Sequence, residues 1–181
     1  KSDRESVLNP YAFISQNGQY YIVATHSGFA NPAHYRIDRI YSVKLINTGV
    51  GNKKSYAKRE EIPLRLRRFF KGNKFNADAY TSAYPLMAYH EKRGIQKCAF
   101  VCLESALTVA IDYFGTADPV KISEYDKDDN YVRVEVFADY NNVKMFCTQY
   151  YSIVTPISPE ELKDDVRTQV EGLLERLDKF V

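Results

Sequence analysis

Three cations stand within six residues in the run His34-Tyr35-Arg36-Ile37-Asp38-Arg39-Ile40. The run otherwise reads as a strand. Strands that fill a core seldom carry guanidinium groups, because a buried charge needs a partner. Two arginines this close offer bidentate bonds to phosphate, which lysine matches less well. The imidazole of His34 adds a donor, more strongly when protonated. Local chemistry leaves two readings open. Either the cations line a groove that takes an anion, or Asp38 and backbone carbonyls satisfy them.

The elements that must position these residues are short strands joined by tight turns. Tyr11 to Gln16 reads as a strand, and Asn17-Gly18 is a strong hairpin signal leading into a return strand from Gln19 to Thr25. Alternation sets Tyr20, Ile22 and Ala24 on one face and Tyr21, Val23 and Thr25 on the other. A third strand from about Ala33 to Ile37 and a fourth from Tyr41 to Ile46 complete a small barrel or an open sheet. On the third strand, Tyr35 and Ile37 are expected to face the core, with His34 and Arg36 pointing outward or into a groove. Tyr20 and Tyr35 are read as core residues, and Tyr21 as either a stacking platform for a base or a packing residue.

Residues 47–55 read as a loop. Lys53 to Lys74 holds nine Lys/Arg and two acids, the composition of a solvated face or of a backbone guide for nucleic acid. Residues 77–88 read as helical, interrupted by Pro85. The second half then alternates in type: strand Lys97–Leu103, helix Ser105–Phe114 closed by Gly115, strands Val120–Tyr125 and Tyr131–Ala138, helix Asn141–Gln149 and strand Ser152–Ile157. Ser158-Pro159-Glu160-Glu161 opens a long last helix, with Ser158 as N-cap, Pro159 at the first position and Glu161 in a capping box. The order βαββαβ plus a helix is the ferredoxin-like arrangement.

Composition bounds the function. Residues 1–94 hold sixteen Lys/Arg against seven Asp/Glu, net +9, and residues 95–181 hold nine against sixteen, net −7. Such a split marks two units with different partners, the basic one attracting polyanions. The three cysteines, Cys98, Cys102 and Cys147, are sparse and odd in number, which fits a reducing cytoplasm. Cys98 and Cys102 share a strand face but lack a third and fourth metal ligand, so no metal site is expected. Neither a signal peptide nor an apolar run of membrane-spanning length is present, and a chain opening at Lys1 without Met reads as a fragment of something longer. Hydrolase and phosphate-loop motifs are missing. The Asp126, Asp128 and Asp129 turn lacks the glycine and distal glutamate of a calcium loop. The expectation is a protein that is not an enzyme, has no catalytic residues and uses no cofactor.

Both halves together resemble the C-terminal portion of bacterial WYL-domain transcriptional regulators. Tyr20-Tyr21-Ile22 stands where that family carries Trp-Tyr-Leu, and His34 to Ile40 is similar to its arginine-rich signature. Asn9-Pro10-Tyr11-Ala12 resembles the family's lead-in, residues 75–94 its helical bridge, and residues 97–181 its WCX extension, including Pro156 and Pro159-Glu160-Glu161-Leu162. Tyr20 departs from the family's Trp, and the family's first barrel strand would precede residue 1. The resemblance implies an Sm/SH3-like WYL barrel at 1–52, a basic helical bridge at 53–94 and a ferredoxin-like WCX domain at 95–181, an α+β chain overall. It implies an anionic effector, single-stranded nucleic acid or a nucleotide, on a face comprising Tyr21, His34, Arg36 and Arg39. It also implies homodimerisation, and operator DNA bound through an N-terminal winged helix-turn-helix that this sequence does not contain. The alternative is a protein-interaction scaffold with no small-molecule ligand, its arginines structural.

Overall fold

The computed structural model describes residues 5–26, 31–45, 62–87, 93–115 and 120–180. The chain is mixed α+β and divides into two compact units, Lys1–Tyr80 and Thr81–Val181. The loop expected at 47–55, the first part of the basic run (53–61), Ile46 and Ala88 lie outside the described residues.

The first unit is built on an antiparallel sheet of three strands in sequence order, β1 (Leu8–Gln16), β2 (Gln19–His26) and β3 (Pro32–Arg36). Asn17 at φ 51° and Gly18 at φ 71° make the β1–β2 turn, the paired left-handed geometry that matches strand twist. No heavy atom lies within 4 Å of a Cβ built on Gly18, so it is the backbone angle, not space, that favours glycine there. The register shifts between Pro10 and Ala12, where Pro10 has no N–H to give the ladder. Tyr11 and Thr25 join across this bulge by a hydroxyl–hydroxyl hydrogen bond of 3.1 Å.

Three expectations change here. Among the described residues the strands form an open sheet and no closed barrel. Tyr41 to Leu45 is not a strand, and its apolar members Tyr41, Val43 and Leu45 are exposed; alternation alone did not supply a pairing partner. Tyr20 is 57% exposed rather than in the core. A short helix α1 (Leu64–Arg67), a two-residue hairpin of β4 (Phe70–Lys71) and β5 (Lys74–Phe75), and helix α2 (Ala77–Ala83) follow. The hairpin turns at Gly72, φ 61°. Buried Leu66, Phe69 and Tyr80 supply apolar bulk to this unit.

In the second unit β6 (Ile95–Leu103), α3 (Leu107–Phe114), β7 (Lys121–Glu124), β8 (Tyr131–Asp139), α4 (Tyr140–Gln149) and β9 (Val154–Ser158) follow the expected order of strands and helices. The four strands pair antiparallel in the order β7-β8-β6-β9. One face of the sheet, through Cys98, Phe100, Cys102, Val134 and Val136, packs with Ala110 and Phe114 of α3 and Val143, Phe146 and Cys147 of α4. On the other face Glu135 takes Lys97 at 2.7 Å and Arg133 at 3.0 Å, and their hydrogen bonds hold its carboxyl below the ordinary value.

Asp139 caps α4, accepting from the Asn142 backbone N–H at 3.3 Å and from its side-chain amide at 2.9 Å. The Asn142 carbonyl oxygen in turn accepts from Leu86 N–H at 2.9 Å, so this buried amide is bonded at both ends. Gly115, at φ 75°, closes α3 with its N–H on Ile111.

The last helix, α5 (Glu160–Phe180), starts one residue later than expected. Ser158 ends β9, and Pro159 sits at the boundary with its carbonyl accepting from Leu162 N–H at 3.0 Å. Leu162 and Val166 are buried, while Val170, Leu173, Leu174, Leu177 and Phe180 are exposed. No helix among the described residues is long and apolar enough to cross a membrane.

Candidate anion-binding site

The β2–β3 register sets Tyr21 opposite Arg36, Ile22 opposite Tyr35 and Val23 opposite His34. Directly paired residues of an antiparallel sheet point to the same side. Tyr21, Val23, His34 and Arg36 therefore share one face, continued by Ile14 on β1. Val23 is fully buried and Ile14 nearly so. Tyr35, expected to face the core, lies half-buried on the side that carries exposed Tyr20, while half-buried His34 and Arg36 share the side of Val23 and Ile14. Alternation identifies two faces without saying which is inside. Tyr80, from a helix far along the chain, decides it.

His34 is half-buried, with Nε2 2.9 Å from the Tyr80 hydroxyl. Its ring meets Tyr80 edge-on at 5.7 Å and Tyr21 edge-on at 6.5 Å. A buried polar ring costs little when it is hydrogen-bonded and stacked in this way. Tyr80 itself has no exposed surface and packs against Phe69 at 4.8 Å and Phe75 at 5.3 Å.

Arg36, its side chain 28% exposed, holds Asp38 in a fork: Nε donates to Oδ1 at 3.0 Å and Nη2 to Oδ2 at 2.7 Å. Nη2 also donates to the Gln19 side-chain oxygen at 2.7 Å. A single 3-10 turn, Ile37–Arg39, brings Asp38 back onto the guanidinium and leaves Arg39 exposed at its end. The hydrogen bonds from Arg36, with the charges of Arg36 and Arg39, hold the Asp38 carboxyl below its ordinary value. The same bond raises the guanidinium above its own.

Of the four residues singled out in the sequence, Tyr21, His34 and Arg36 thus lie together on one face, and Arg39 stands apart on the turn. Tyr80 and Gln19 complete the arrangement. Neither had a signal in the sequence: one is 46 residues from His34 and the other 17 from Arg36.

Chemistry elsewhere is muted. Burial pushes the Cys98 thiol up to about 12 and those of Cys102 and Cys147 above their ordinary value. Among the described residues no three His, Cys, Asp or Glu side chains gather where they could hold a metal. In the second unit Arg93 lies 4.5 Å over the Tyr140 ring and pairs with Asp165 at 3.1 Å. The buried Tyr140 hydroxyl, donating to Asp165 at 2.8 Å, is raised by burial and by that bond.

No protein-family model and no curated protein matches the chain. Among solved structures it is similar to Proteasome accessory factor B/C (PafBC) of Arthrobacter aurescens, at 16% identity and a TM-score of 0.39. That alignment covers 97% of this chain and 23% of PafBC. It is also similar to a CRISPR Cas-related protein, at 14% identity and a TM-score of 0.46, covering 98% of this chain and 45% of that one. Both TM-scores lie below 0.5, too low for the likeness to carry a functional argument. The chain spans less than half the length of either structure.

Proposed function

We propose that this chain is the effector-sensing and dimerisation portion of a bacterial, cytoplasmic WYL-type transcriptional regulator, and that it works by binding rather than by turnover. The first unit corresponds to the Sm/SH3-like WYL sheet. The second corresponds to a ferredoxin-like WCX domain, supported by the alternation of its strands and helices and by the strand order β7-β8-β6-β9. The effector is an anion of the nucleic-acid or nucleotide class, and operator DNA is bound by a separate winged helix-turn-helix.

The observation that carries this reading is the Arg36–Arg39 turn. Its two guanidinium groups stand at one end of a sheet in the basic half of the chain, one of them already oriented by Gln19. Asp38, 56% exposed, occupies the Arg36 fork. Water and salt screen such an exposed pair, so a phosphate able to bond bidentately competes for it. Tyr21 and His34 act behind the turn as the packed support of the strand.

The test is anisotropy of a labelled single-stranded oligonucleotide across a salt series. Arg39→Ala is expected to leave the melting temperature unchanged and to reduce the slope of log affinity against log salt by about 0.7, one phosphate contact. Arg36→Ala/Arg39→Ala is expected to abolish binding at moderate salt. An unchanged slope in Arg39→Ala sinks the anion site.

The bonding of Arg36 to both Asp38 and Gln19 favours a second reading, in which the chain is an interaction scaffold and the arginines are structural. There Arg36→Ala lowers stability and no oligonucleotide or nucleotide binds.

The dimer half of the proposal is supported by α5. Val166, Val170, Leu173, Leu177 and Phe180 recur at alternating spacings of four and three, the seam period of paired helices. Four of them are exposed. The partner is a second copy. Light scattering is expected to give twice the chain mass for the wild type and a monomer for Leu173→Glu/Leu177→Glu, which places charges in the seam. A wild-type monomer at high concentration overturns this half alone.

A further inference from the structure

The basic run that ends at Lys74 folds, over its described part, into a frame with two unlike sides. The short helix α1 leads into β4 and β5, which close a hairpin through Gly72, at φ 61°, and Asn73. Glycine at the first central position of a two-residue turn suits the twist of the flanking strands. Phe70 pairs with Phe75 and Lys71 with Lys74, so the phenylalanines share one face and the lysines the other. The phenylalanine face is the packed one. Its rings meet each other at 5.2 Å, Phe70 meets Tyr11 at 6.4 Å, and Phe75 meets buried Tyr80 at 5.3 Å. Lys71, Lys74 and the turn between them are exposed.

The aromatic side accounts for the hairpin, and the lysine side works against it. Directly opposed side chains stand about 5 Å apart at Cβ, where like charges destabilise the pair. From Ile62 to Ala77 the sequence carries five Lys/Arg and no acid. Four of the five, Arg65, Arg68, Lys71 and Lys74, are exposed. Among the described residues no salt bridge engages Arg65, Lys71 or Lys74. A patch of this kind fits a polyanion. The rest of its surface indicates which one. Phe69 is buried, and Phe70 and Phe75 are half-buried against other rings, so the run exposes no aromatic face on which an unpaired base could stack. Single strands are held by cations interleaved with such faces. A duplex hides its bases and presents a dense line of phosphates.

We infer that the β4–β5 hairpin, with Arg65 and Arg68 just before it, is a docking surface for the phosphate backbone of double-stranded DNA, bound without regard to sequence. It uses no residue of the Arg36–Arg39 turn and does not rest on the effector reading. Lysine suits this role, because a point charge on a flexible stem follows a phosphate without a fixed approach geometry.

The test uses the full chain with a labelled duplex of random sequence and one of its single strands, each across a salt series. Lys71→Gln/Lys74→Gln is expected to lower the slope of log affinity against log salt on the duplex by about 1.8, two contacts at roughly 0.9 each, and to leave the single-strand slope unchanged. The same variant is expected to melt no lower than the wild type, since it removes the opposed charges. Lys71→Glu/Lys74→Glu is expected to abolish duplex binding at moderate salt. An unchanged duplex slope in the Gln variant, or a wild type that binds no duplex at low salt, overturns the surface. An equal fall on the single strand overturns the assignment to duplex. A Gln variant that loses dimer mass in light scattering while keeping its duplex slope also overturns the inference, and gives the lysines to an acidic face of a second copy. None of these outcomes bears on Arg39→Ala and the single strand, so the two readings fail separately.

Discussion

Phe146→Ala is expected to cost the second unit about 3–5 kcal/mol, the range for removing a buried aromatic ring. Phe146 has no exposed surface and sits at the centre of an aromatic cluster. Its ring lies 5.4 Å from Phe100 on β6, 5.0 Å from Phe114 on α3, and 5.0 Å from each of Tyr113 and Tyr150. Truncation removes the transfer free energy of the ring and leaves a cavity that three elements must collapse to fill. With a urea m-value near 2 kcal/mol/M, the midpoint falls by roughly 2 M. Met145, on the same helix but 42% exposed, is the control: Met145→Ala is expected to shift stability by less than about 0.5 kcal/mol. Equal effects at the two positions would show that α4 does not present the face assigned to it.

Tyr80→Ala is expected to have a comparable effect on the first unit, about 3–5 kcal/mol for the lost ring, and to abolish oligonucleotide binding. In the proposed anion-binding reading Tyr80 is a positioning residue, acting through His34 and the ring stack with Phe69 and Phe75. Tyr80→Phe separates the two contributions. It keeps the packing and removes the hydroxyl bonded to His34, at an expected cost of about 0.5–1.5 kcal/mol, with oligonucleotide affinity close to wild type. If His34 met the ligand directly and Tyr80 merely filled space, His34→Ala would cut affinity while Tyr80→Phe left stability unchanged. That pattern would overturn the positioning role given to Tyr80 and His34.

The two positions show how differently the halves were legible. In the second half, strand and helix patterns alternated at the right lengths, each with its own punctuation: Gly115 after α3 and Pro159 before α5. Those signals are local, and the structure follows them to within a few residues. The differences are at boundaries, such as the 3-10 turn Glu104–Ala106 that delays α3 to Leu107. In the first half the hairpin was legible for the same reason, since Asn17-Gly18 dictates its own turn. Tyr41 to Leu45 had strand composition but no pairing partner among the described residues, and β-propensity records a suitable surface more than a backbone preference.

The sequence by itself determined which residues share a face, where the turns fall, that the chain is mixed α+β, and that Arg36 and Arg39 flank an acid within one turn. Each is a consequence of bonds and periodicities spanning a few residues. Only the tertiary structure decided which side of the first sheet is inside. That choice depends on Tyr80, 46 residues from His34, and a period of two is symmetric between its faces. The same choice turned His34 toward the core, locked Arg36 against Asp38 and Gln19, and left Phe13 and Tyr20 in water.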